Sequence, residues 1–98
     1  MGNKSAQQLS FQIYPNPAVD KATIQFTLPQ SSHVCIKVYD VRGKEIEILL
    51  NENLQQGDHS LLLNTNHFSS GVYLVKMISD FGIVHGTPYG ENQKLIVE

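Results

Sequence analysis

Four histidines and one cysteine are the residues of this chain best suited to binding a metal or attacking a substrate. His33, His59, His67 and His85 do not share the short spacing of a zinc motif, and no second cysteine supports them. Structural or solvated imidazoles are expected, with no metal and no other cofactor implied. Cys35 alternates out of phase with Val34, Ile36 and Val38, so it should face away from the core as a plain unpaired thiol. No local signature of a catalytic cysteine surrounds it. Asp40, Asp58, Asp80 and Glu91 fall in turn-like segments, where aspartate usually bonds its own backbone. Glu45, Glu47 and Glu52 read as a solvated face. The glycines are scattered singly, so no loop is built to cradle phosphate. There is no Trp to stack on a sugar. No reactive constellation emerges, and the chain is not expected to be an enzyme.

Composition points the same way. At 98 residues the chain suits one domain. Seven Lys and Arg against nine Asp and Glu give a net charge of -2, without the basic face that nucleic acid requires. No aliphatic run is longer than that of Leu61–Leu63, so no segment can span a membrane as a helix. A single cysteine excludes an internal disulfide framework. Val, Ile and Thr together number 20 against three Ala, a bias toward pleated sheet over helix.

The pattern along the chain supplies the strands. Ser10 to Tyr14 alternates and must stop at Tyr14-Pro15-Asn16-Pro17, because each proline fixes its own φ and restricts the residue before it. Lys21 to Leu28 has Ala22, Ile24, Phe26 and Leu28 on one face, the period of a half-buried strand. His33 to Asp40 repeats this with Val34, Ile36 and Val38 inward. Asp40-Val41-Arg42-Gly43 carries Asp at the first and Gly at the fourth position of a type I turn. Lys44 to Leu50, with Ile46, Ile48 and Leu50 on one face, completes a hairpin. A polar connection, Asn51 to Asp58, leads to a fifth strand at His59 to Leu63. Phe68 is expected to plug one end of the core from the next polar stretch. Val72 to Ile78 is apolar on both faces, as in a central, covered strand. Asp80 to Gln93 reads as a less regular excursion with a short edge strand at Gly82 to His85, and Lys94 to Glu98 is the last strand. About seven short strands separated by turns predict an all-β fold, an immunoglobulin-like antiparallel β-sandwich.

Residues 1–9 are polar and patternless and read as a flexible leader, native or added for expression, leaving one domain over residues 10–98. The start lacks a signal peptide, and Asn3-Lys4-Ser5 is a chance-level glycosylation sequon. The chain thus reads as a fragment of something larger.

Several segments together resemble one family. They are Tyr14-Pro15-Asn16-Pro17-Ala18, Lys37 through Lys44, Leu54 through His59 with Gly57 at its centre, Ser69 through Lys76, and Lys94-Leu95-Ile96-Val97. Their order and spacing, from about Phe11 to Glu98, resemble the C-terminal sorting domains of type IX secretion cargo in Bacteroidetes, of type A. Each motif alone is weak, and the ordered series is the signal. Two features depart from the family pattern: the segment Phe81 to Gln93 is longer, and Glu98 stands where a basic residue is frequent.

The resemblance implies an immunoglobulin-like domain at the end of an N-terminal cargo. The cargo precursor would carry a signal peptide, pass through the periplasm and reach the cell surface or medium. The outer-membrane type IX translocon would recognise the domain. A sortase-like cysteine peptidase would then cleave before Phe11, commonly joining the cargo to lipopolysaccharide. Under this reading Pro15, Asn16 and Pro17 end the first strand rigidly, Asp40 and Gly43 make the hairpin turn, and Gly57 serves a connection. Recognition would rest on Lys94, Leu95, Ile96 and Val97, with Gly71 and Tyr73 opening the central strand. A terminal strand can be a free edge, open to pairing with a partner. The alternative is a permanent immunoglobulin-like structural or adhesive module of a secreted protein.

Overall fold

Alternation of apolar and polar side chains dictates the strands, and their two-sided burial dictates how they stack. The computed structural model describes residues 10–84 and 87–98, and the side chains of these except in 81–84 and 87–89. The leader expected over 1–9, with Asn3, lies outside the described residues, as do His85 and Gly86. The elements are β1 (Ser10–Tyr14), β2 (Lys21–Leu28), β3 (Ser32–Tyr39), β4 (Glu45–Leu54), β5 (Gly57–Asn64), β6 (Gly71–Val84) and β7 (Thr87–Val97). One sheet has the order β1-β2-β5 and the other β4-β3-β6-β7, with every strand pair antiparallel. This is the immunoglobulin-like sandwich anticipated from the strand spacing.

The inner faces meet in one core. Ala22, Ile24, Phe26 and Leu28 of β2 oppose Val34, Ile36 and Val38 of β3, joined by Val75 and Met77 of β6 and Leu95 and Val97 of β7. Each large aliphatic or aromatic side chain fully buried there contributes about 1.5–3 kcal/mol of transfer free energy. Phe68 is buried and closes one end of the core, as expected from its isolated position. Its ring lies 5.1 Å from that of Tyr73, whose hydroxyl donates to the Ser69 carbonyl at 2.6 Å. A tyrosine near the start of a strand, bonded back to backbone a few residues upstream, is the corner motif of immunoglobulin-like folds.

Several expectations need correction. The segment Asn51 to Asp58 is mostly strand. Asn51, Glu52 and Asn53 pair with Cys35, Val34 and His33, so backbone pairing at the sheet edge continues where the apolar pattern has ended. Second, Ile46 and Ile48 do not share a face with Leu50. Register shifts between Ile36 and Lys37 and between Val38 and Tyr39 each insert an extra β4 residue. A one-residue slip reverses side-chain phase. Leu50 therefore packs against the core while Ile46 and Ile48 stay 42% and 49% exposed. Third, β6 is central but covered on one face. Val75 and Met77 are buried, whereas Val72 and Leu74 on the outward face are 43% and 39% exposed. The excursion expected after Asp80 is also regular, with β6 and β7 paired as one long hairpin. Gly82 to Val84 belongs to β6 and is no separate edge strand.

Candidate functional site

Asp40 is placed by the end of β3, and its carboxylate organises the turn into β4. The Arg42 and Lys44 N–H groups donate to Oδ1 at 2.9 and 3.0 Å. The Gly43 N–H donates to the Asp40 carbonyl at 3.0 Å and the Asp40 N–H to the Lys44 carbonyl at 2.9 Å. Gly43 has φ of +87°, a left-handed conformation that glycine adopts without strain. The backbone bond from Lys44 leads, and with that from Arg42 and the two side-chain cations it outweighs an opposing desolvation and holds the Asp40 carboxyl below its usual 3.8. A depressed folded pKa stabilises above the unfolded value and is lost as pH falls through the folded one. Asp40→Ala is therefore expected to lower Tm at pH 7, with the deficit narrowing as pH falls from 3.8 through the lower folded value. An equal deficit at pH 2 and pH 7 in thermal melts would mean the charge plays no part.

The terminal strand is not the open edge anticipated. β7 borders the larger sheet, but the segment after β1 lies along its outer side. Both Tyr14-Pro15 and Asn16-Pro17 are cis peptide bonds. The Asn16 amide acts as a short piece of strand: its Nδ2 donates to the Lys94 carbonyl at 2.6 Å and its Oδ1 accepts from the Ile96 N–H at 2.9 Å. Ala18 continues the pairing, donating to the Ile96 carbonyl at 2.7 Å and accepting from the Glu98 N–H at 2.9 Å. These bonds occupy the Lys94 carbonyl, both backbone groups of Ile96 and the Glu98 N–H. Pro15 and Pro17 flank the amide, and neither blocks the pairing because Asn16 supplies it through its side chain.

The residues singled out in the sequence separate into three groups. Leu95 and Val97 point inward and are buried with Ile36 and Met77. Gly71 pairs with Val97 at the start of β6, and Tyr73 is spent on the corner bond and on Phe68. Gly57 opens β5 opposite Leu28 in the other sheet, with φ of +126°. Lys94 is exposed, and Ile96 is half-buried beside Val72.

The outward face brings distant motifs together. Tyr39, Leu74 and Lys94 stand in one cross-strand row, Lys37, Lys76 and Asn92 in the next. All of these except Lys37, with Val41 and Gly43 of the turn and Val72, line an open groove of about 470 Å³. Val72, Leu74 and Lys76 were the residues missed by sequence reasoning. Their period-two apolar pattern was visible, but an apolar second face reads equally as a covered one.

The histidines fall apart. Among the described residues no three His, Cys, Asp or Glu side chains are grouped to hold a metal. Cys35 is half-buried and free on the outward face. His59 stacks on Phe26 at 5.3 Å and His67 contacts Glu47 at 3.1 Å. The His33 ring bridges Asn51 Oδ1 at 2.6 Å and Asn53 Oδ1 at 2.9 Å, and the His33 backbone N–H donates to Asp80 Oδ1 at 2.8 Å. These two amide oxygens, Asn51 first, and the nearby Asp80 charge raise its pKa above 6.5. A raised folded pKa stabilises below the unfolded value and is lost as pH rises through the folded one. NMR titration is expected to place the His33 midpoint above 6.5, with Asn51→Ala lowering it. A midpoint at or below that value would mean the bridge is not made by imidazolium.

Comparison with known proteins agrees with this architecture. Among the described residues no helix is long and apolar enough to cross a membrane. No curated protein matches the chain. Dimeric latent PorU from Porphyromonas gingivalis contains a similar fold, with a TM-score of 0.71 at 17% identity over 91% of this chain. The chain spans only 9% of that protein, so the likeness speaks to fold alone. Residues 12–85 match the family described as "Secretion system C-terminal sorting domain". With a sandwich of the anticipated order and a match over most of its length, the chain belongs to the C-terminal sorting domains of type IX secretion.

Proposed function

We propose that this domain carries a fused N-terminal cargo through the outer-membrane type IX translocon and is then removed by a sortase-like cysteine peptidase. The cargo precursor bears a signal peptide, passes through the periplasm, and delivers the cargo to the surface or the medium. Cleavage precedes Phe11, and residues 10–98 form the sorting unit behind the leader of residues 1–9. The observation that carries this reading is the family match over residues 12–85. The domain acts as ligand and substrate and has no chemistry of its own in this role.

Within that role the signal residues contribute by two routes. Lys94 and Ile96 present side chains on the outward face, where a receptor can read them. Leu95, Val97, Gly71 and Tyr73 act through the fold that displays them, as do Pro15, Asn16, Pro17, Asp40, Gly43 and Gly57. The test is a fusion of residues 10–98 to the C-terminus of an exported fluorescent protein. It is expressed in a Bacteroidetes host with and without a working translocon. Fluorescent cargo outside the cell, freed of the domain and only in the competent host, is the expected result. Uncleaved fusion held in the periplasm of both hosts would instead mark a permanent structural or adhesive module.

A further inference from the structure

The outward face of β3, β6 and β7 carries an imbalance that the domain does not resolve by itself. Lys37 and Lys76 stand directly opposite on neighbouring strands, and Lys94 is a diagonal neighbour of Lys76. Like charges so placed are unfavourable. Lys37 is neutralised by Glu45 at 3.1 Å. Among the described residues neither Lys76 nor Lys94 forms an ion pair. The one carboxylate lining the groove, that of Asp40, is committed to the N–H groups of its own turn. The chain as a whole is acidic, with a net charge of -2, so this local excess of cations runs against its composition. Between the lysines and the turn lie Val72, Leu74 and Val41, the last 76% exposed. The groove's 470 Å³ falls within the range of built ligand sites.

We propose that this groove docks an extended acidic–aliphatic peptide segment of a protein partner. Aliphatic side chains of that segment would lie on Val72 and Leu74 beside Tyr39 and Val41. Its carboxylates would meet the Lys76 and Lys94 ammonium groups. An acidic segment removes the lysine repulsion, whereas a basic one adds to it, so the face selects by charge as well as by apolar contact. Backbone pairing along β7 is not needed, because Asn16 and Ala18 hold that edge.

The proposal deepens the sorting reading and rests on it only for the partner's place in the cell. The probe is the peptide Ac-Leu-Ser-Leu-Ser-Glu-Ser-Glu-amide, whose Leu and Glu side chains share one face when extended, titrated into the 98-residue chain and followed by backbone amide NMR. Shifts are expected at Val72, Leu74, Lys76 and Lys94, weakening as salt is added. The K76E/K94E double variant should lose roughly tenfold or more in affinity. A thermal melt checks its fold, and K76Q/K94Q replaces it if it fails to fold. Equal binding of the same peptide with Lys in place of Glu would overturn the proposal. So would the absence of groove shifts at millimolar peptide, or affinity unchanged in the lysine variants. Failure here with the fusion still sorted sinks the groove alone. Peptide binding with an unsorted fusion sinks the sorting reading alone.

Discussion

Leu95→Ala is expected to be strongly destabilised, while Lys94→Gln, one residue away, leaves stability almost unchanged. Leu95 is fully buried against the β3 and β6 core residues, whereas Lys94 is exposed. Removing a fully buried leucine side chain beyond Cβ costs roughly 2–5 kcal/mol. Domains of this size have only about 5–15 kcal/mol in total. Thermal melts should therefore place Leu95→Ala roughly 10 °C or more below wild type. A surface substitution of the Lys94 kind stays within about 0.5 kcal/mol. Comparable melting of the two variants would mean that β7 does not alternate as described. The pair also separates two ways of losing secretion. Leu95→Ala would fail through the fold, and Lys94→Gln only through recognition.

The second large effect is expected at Asn16. Its amide makes two hydrogen bonds to β7, at 2.6 and 2.9 Å. Two such bonds contribute about 1–3 kcal/mol together. Asn16→Ala should lower Tm accordingly and accelerate exchange of the Ile96 amide proton. The Glu98 amide, held by Ala18, should be affected less. Asn16→Asp is not a conservative rescue. It retains an acceptor for Ile96 but sets a carboxylate oxygen against the Lys94 carbonyl in place of a donor. If Ile96 exchange is as slow in Asn16→Ala as in wild type, the amide does not hold the edge. The contact also explains a structural logic of the motif. A polar residue between two prolines closes an exposed sheet edge that would otherwise invite pairing with another chain.

Much of this protein was legible in its residues taken one strand at a time. Ile24, Phe26 and Leu28, like Val34, Ile36 and Val38, are buried where their alternation predicts, because period-two patterning and sheet burial are the same geometric fact. The turn at Asp40 and Gly43 was equally local, since its carboxylate and its left-handed glycine need only their own neighbours. Ordered motifs spread along the chain were enough to indicate the family.

Tertiary structure decided what depends on partners far along the chain. Whether Ile46 and Ile48 face the core rests on register shifts against β3, which a pattern within β4 cannot reveal. Whether Lys94 to Glu98 forms a free edge rests on Asn16, 78 residues away from Lys94. Whether the second face of β6 is covered rests on what packs there, and only the assembled sandwich leaves it open. The groove combines a hairpin turn, a central strand and a terminal strand. Local sequence sets which way each side chain alternates. Long-range hydrogen bonding and packing set which strand ends meet, and so which surface a partner can reach.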